Sequence, residues 1–156
     1  MSNHTEYTST DHLSDAQFIQ SFEDCSLPAA WFHHRDHIRL AWLQIRAHGL
    51  LTALDRISLS IKRFAAAQGK ATRYHETITW AYAFLVNERI ARANPEQSWS
   101  EFAKANPDLF DWNNSILRNY YRPETLSSEL SRMIFVWPDK PIDIIDSDTR
   151  VAEPQA

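Results

Sequence analysis

The stretch LLTALDRISLSIKRFAAAQ, residues 50–68, decides the fold. Leu50, Leu54, Ile57, Ile61 and Phe64 recur at spacings of three and four, the period of a helix with one buried face. Gly69 follows at once, where a helix ends most easily on a residue able to turn left-handed. On the N-terminal side, HHRDHIRLAWLQIRAH (residues 33–48) predicts a second helix, closed by Gly49. Before it, SDAQFIQSFEDC opens with Ser14 and carries Gln17 three places on, a capping box. Pro28 ends that first helix, because it removes an amide donor. On the C-terminal side, YHETITWAYAFLVNERIARAN (residues 74–94) predicts the longest helix, closed by Pro95. Ser98 and Glu101 form a second capping box for a short helix to about residue 105. NPDLFDWNNSILRNYY (residues 106–121) predicts two short helical pieces. RPETLSSELSRMIF (residues 122–135) predicts a last helix, with Pro123 in its first turn, where proline is tolerated.

The expected architecture is all-α, a single-domain helical bundle of about six or seven helices, with shorter helices in the C-terminal third. Residues 1–13 are expected to be a flexible polar leader, 14–139 the helical domain, and 140–156 an acidic, disordered tail.

Composition narrows the function. The chain has 156 residues, the length of one domain. Only two glycines occur, so glycine-rich phosphate loops are excluded. A formal charge of −4 without a long Lys/Arg run makes the chain a poor candidate for nucleic acid, and no nucleic-acid partner is expected. One cysteine, Cys25, allows no intramolecular disulfide, and the expected home is the cytoplasm. Cys25 itself is expected to be buried and structural. The polar N-terminus has no signal-peptide core, and the apolar runs are too short for a bilayer, so no membrane partner is expected. No G-x-S-x-G occurs, and neither Glu76 nor Glu88 has a histidine three residues on, which excludes the paired E-x-x-H di-iron pattern.

The histidines raise the chemistry. Projected at 100° per residue, Ile38, Ala41 and Ile45 share one face of the second helix. His34 falls on that face and His37 at its edge, whereas His33 falls away from it. Inward histidines must be hydrogen-bonded or ligated. A catalytic metal site takes three protein ligands and keeps a position open. His75, at the start of the longest helix, is the third candidate beside His34 and His37. Glu76 follows it and is the candidate general base, or else a first-turn carboxylate that complements the helix dipole. The ion would be divalent; zinc, iron, manganese and nickel all suit histidine and carboxylate. The structural alternative is that these histidines bond to backbone, to Asp36 or to Glu76. His48, at the helix end, is expected as a dipole-matching cap.

Further candidates surround this set. Tyr74 and Arg73 flank the H-E pair and could support its ligands. Arg132 could clamp a substrate carboxylate, or pair with Glu129 one helical turn away. Tyr121, with Tyr120, could offer a phenol to a ligand or serve as core. Trp31, Trp42 and Trp80 are expected to wall the pocket, and Trp99, Trp112 and Trp137 to anchor the short helices.

Taken jointly, C-S-L-P-x-x-W-F-H-H-R-D-H, R-Y-H-E-T-I-T-W-A-Y, N-P-D-L-F-D-W, N-Y-Y-R-P-E-T-L-S-S-E-L-S-R and F-V-W-P-D resemble a family of small, largely uncharacterised bacterial proteins. The resemblance spans roughly residues 18–139. It implies that His34 and His37 are an H-x-x-H pair, that His75 and Glu76 belong to Y-H-E-T, and that Ser128 and Arg132 form an S-x-x-[AS]-R pair. Ser131 stands where alanine is more usual. The resemblance names a site but no reaction.

The leading expectation is a small cytosolic metal-binding protein, with a metal-dependent hydrolase or oxygenase acting on a small anionic substrate as the enzymatic form. The alternative is a non-catalytic helical module that binds a small molecule or a partner helix and uses its histidines structurally.

Overall fold

The computed structural model describes residues 8–141. Among them are seven α-helices and no strand: α1 Asp15–Glu23, α2 His34–His48, α3 Leu50–Ala67, α4 Glu76–Arg92, α5 Trp99–Ala105, α6 Pro123–Leu126 and α7 Glu129–Met133. Helices α2, α3 and α4 pack against one another, α1 lies on α3, and α7 lies on α4. The all-α expectation holds, with the short helices at the C-terminal end. No described helix is long and apolar enough to cross a membrane.

The periodic residues become the core. Ile38, Ala41 and Ile45 of α2 meet Leu54, Ile57, Ile61 and Phe64 of α3, all buried. Phe22 of α1 is fully buried, with ring centroids 4.8 Å from Phe64 and 4.6 Å from Phe32. Burying a side chain of that size contributes about 2–3 kcal/mol. Gly49 ends α2 and begins α3 in one residue. Its amide donates to Ile45 at 2.8 Å, its carbonyl accepts from Ala53 at 3.0 Å, and its φ of 76° is left-handed. Any side chain there would be strained.

Three local expectations differ from what the chain adopts. Residues 122–135 are not one helix. Ser127 ends α6, and the Ser128 hydroxyl accepts from the Ser131 amide to start α7 afresh. Adjacent serines compete with the helix for its own amides. The pieces in 106–121 are single 3-10 turns, Pro107–Leu109 and Ile116–Asn119. Cys25 is only half-buried, and it takes a left-handed φ of 61° just after α1.

Residues 8–13 fell in the expected leader, yet they pack on α2. Thr10 is buried and its hydroxyl donates to Asp36, itself buried. Arg39 donates to the carbonyls of Thr10 and Leu13 at 3.2 and 2.9 Å and to Asp15 at 2.9 Å, with its guanidinium over the Phe18 ring. The expected acidic tail lies outside the described residues from position 142 onward.

Candidate functional site

Helices α2, α3 and α4 leave a cavity of about 410 Å³ at one end of their packing, with His34, His37, Arg73, Tyr74 and His75 in its wall. That size suits a small organic ligand. The first turn of α2 supplies two of the histidines because Asp36 fixes it: its carboxylate accepts the His33 amide at 2.8 Å. A carboxylate in the first turn also complements the helix dipole. His34 and His37 are both half-buried, and His33 is exposed at the rim, as the helical projection places them.

The histidines differ in what their nitrogens do. His34 Nε2 lies 2.8 Å from the Leu109 carbonyl, which only accepts, so this nitrogen carries the proton. Nδ1 then keeps a lone pair that no described residue takes up. Burial pulls the His34 pKa down, and the Leu109 carbonyl opposes the shift. His37 packs on Phe32, with ring centroids 4.3 Å apart, and makes no hydrogen bond to a described residue. Burial and then the neighbouring His34 bring its pKa down to about 4, so it is neutral at neutral pH.

His75 is occupied at both nitrogens. It caps α4: Nδ1 accepts from the Ile78 amide at 3.1 Å, and Nε2 donates to the Leu126 carbonyl at 2.7 Å. This is the hydrogen-bonded arrangement, and an ion at His75 would have to displace one of these two partners. Glu76 is not in the cavity wall; its carboxylate faces Lys62 of α3, 3.4 Å away. Among the described residues no three His, Cys, Asp or Glu side chains are placed to hold one metal ion.

The remaining candidates separate. Tyr74 is buried in the cavity wall, and its hydroxyl makes no well-formed hydrogen bond; burial pushes its phenol pKa up. Arg73 is exposed at the rim and pairs with no described carboxylate. Ser128, Arg132 and Tyr121 are elsewhere. Ser128 caps α7, and Arg132 pairs with Glu129, the local alternative for that arginine. The Tyr121 hydroxyl donates to the Val136 carbonyl at 2.8 Å, and burial, with the Asp139 charge, pushes its pKa up to about 12.

The tryptophans also exchange roles. Trp112, expected as an anchor, stands at the cavity mouth 5.0 Å from the His34 ring. Trp31, Trp42 and Trp80 are not in the wall. Trp42 is core beside Trp99, and Trp80 donates to the Ser58 hydroxyl at 3.1 Å.

The Y-H-E-T segment and the C-terminal helices meet through hydrogen bonds. The Leu126 carbonyl accepts from His75 and from the Ser131 hydroxyl, the latter at 3.3 Å. Thr77, fully buried, donates to the Ile134 carbonyl at 2.8 Å and accepts the Val136 amide at 3.1 Å. No family model, no curated protein and no solved structure matches this chain. Geometry alone therefore carries the functional reading.

Proposed function

We propose that this protein binds a small organic molecule between α2, α3 and α4, with His34 and His37 as its hydrogen-bonding groups. One observation carries the reading. Two uncharged imidazoles line a ligand-sized cavity while three of their four ring nitrogens lack a described partner. These nitrogens are open to the cavity and not sealed from it, so a molecule that enters can reach them. A bound molecule would satisfy them here. A thermal-shift screen with small aromatic acids, amides and amines tests it. Ligands that raise the melting temperature of the wild type and not of His37→Leu are expected; a panel without any such ligand would overturn the reading.

A metal-bound form is the second reading, and His34 favours it. A ligating histidine commonly gives its other N–H to a carbonyl, as His34 does with Leu109. His34 and His37 supply two donors, and the substrate or solvent would complete the set. A hydrolase or oxygenase with His75 as third ligand and Glu76 as base needs more. His75 must first release the Leu126 carbonyl or the Ile78 amide. Elemental analysis of untagged protein separates the readings. Near-stoichiometric metal lost in His34→Ala and His37→Ala supports the ion; metal-free protein after incubation with Zn²⁺, Fe²⁺, Mn²⁺ and Ni²⁺ removes it.

A further inference from the structure

The residues around the cavity also describe what kind of molecule fits. Its wall contains one arginine, Arg73, and no aspartate or glutamate, in a chain whose formal charge is −4. Arg73 sits in the 3-10 turn Ala71–Arg73, directly before the capped start of α4, and is exposed at the rim. Several arginines are held by an acidic or carbonyl partner: Arg39 with Asp15, Arg89 with Asp108, Arg132 with Glu129, and Arg46 with the Gln97 carbonyl; the exposed Arg56 and Arg118 have no side-chain partner among the described residues, but neither lines the cavity. Arg73 likewise has no partner among the described residues. A guanidinium free to present two parallel N–H groups is suited to a carboxylate.

The wall is rich in aromatic rings. Phe32, Tyr74, Tyr82 and Trp112 contribute rings, and His34 lies 4.8 Å from Tyr82 and 5.0 Å from Trp112. Ring edges and faces of this sort complement a planar, unsaturated body. Asp111 is outside the wall, but its charge reaches the Tyr82 phenol. The Glu76 charge likewise reaches the Tyr74 phenol, so neither tyrosine favours an anion, and Arg73 is the one arginine or lysine of the wall that a negative group can pair with.

Resting on the small-molecule reading above, we infer that the cavity selects a planar aromatic carboxylate, its rings among Phe32, Tyr74 and Trp112 and its carboxylate on Arg73. The ring nitrogens of His34 and His37 then meet a polar substituent on the aromatic body.

The probes are a matched pair, 2-naphthoate and its neutral isostere 2-naphthamide. Binding is followed by titration calorimetry and by the indole N–H signals of Trp112 and Trp137. Trp137 reports on a second, apolar cavity of about 310 Å³ lined by Phe84, Tyr120 and Phe135. Naphthoate is expected to shift the Trp112 signal and to bind at least about tenfold more tightly than the amide, a preference removed in Arg73→Gln. Arg73 is exposed, so this variant is expected to fold as the wild type does. If the two probes bind equally at Trp112, or if Arg73→Gln keeps the preference, the carboxylate assignment fails and the small-molecule site survives. If neither probe moves Trp112, or both move only Trp137, the cavity fails as an aromatic-ligand site and the inference fails with it.

Discussion

Thr77 shows how much one hydroxyl can hold. It is fully buried, gives its proton to the Ile134 carbonyl and takes the Val136 amide, so one side chain closes two backbone groups of the C-terminal arm, residues 123–141. Thr77→Val keeps the shape and removes both bonds. The variant is expected to lose about 2 kcal/mol in urea unfolding, with faster hydrogen exchange at the Val136 amide. An unchanged midpoint would mean that the join is not under load. The sequence brings His75 and Thr77 to notice through Y-H-E-T, but it does not give their hydrogen-bond partners. Cap geometry shows what they do for the fold. An N-cap histidine uses one nitrogen on its own helix, and Leu126, fifty-one positions away, takes the other. A partner so distant in sequence leaves no local signature. His34 and His37 are different, because their facing follows from helical periodicity alone.

At the scale of elements, Arg39 joins what precedes α1 to α2. Its guanidinium serves two carbonyls and Asp15 while almost wholly buried, and Asp36 holds Thr10 from the same helix. Arg39→Met keeps much of the packing over Phe18 but leaves those carbonyls without a donor. A loss of about 3 kcal/mol is expected, together with faster amide exchange confined first to residues 8–13. Uniform exchange across the molecule would contradict that local role. The helices α1 to α5 were legible because their apolar spacing and caps agree. Both capping boxes, Ser14 with Gln17 and Ser98 with Glu101, form as their spacing predicts. The order of residues 8–13 was not legible, since polar composition conceals a buried arginine that organises carbonyls. The split between α6 and α7 was concealed as well: two adjacent serines read equally well as helix interior or as a stop and a start.

For the whole molecule, acid sensitivity follows from the cavity. His37 titrates at about 4 when folded and near its ordinary 6.5 when unfolded. Between these values the unfolded chain binds more protons, so stability is complete above about pH 6.5 and falls as pH drops towards about 4. The full loss is about 3 kcal/mol. His34 is shifted in the same direction. Urea unfolding at about pH 7.5 and about pH 5 checks this, before most carboxylates titrate. His37→Leu is expected to flatten that limb, and an unchanged slope would show that His37 is not held neutral. The fold class was legible throughout. The cavity was legible in part, because two of its histidines lie on a periodic face, whereas Trp112 and the free Arg73 reach it from segments without periodicity.

The join between α4 and the C-terminal arm has a consequence for divergence. His75 and Thr77 grip the main chain at Leu126, Ile134 and Val136, and main-chain atoms are the same whatever side chain they carry. Leu130, Met133 and Ile134 themselves face solvent. Mutational drift is therefore nearly free along that outer edge of the arm and strongly restrained at His75, the N-cap of α4, and at Thr77 in its first turn. Descendants of this chain would come to look alike at Y-H-E-T while their arms grew apart, even if none of them performed a reaction there.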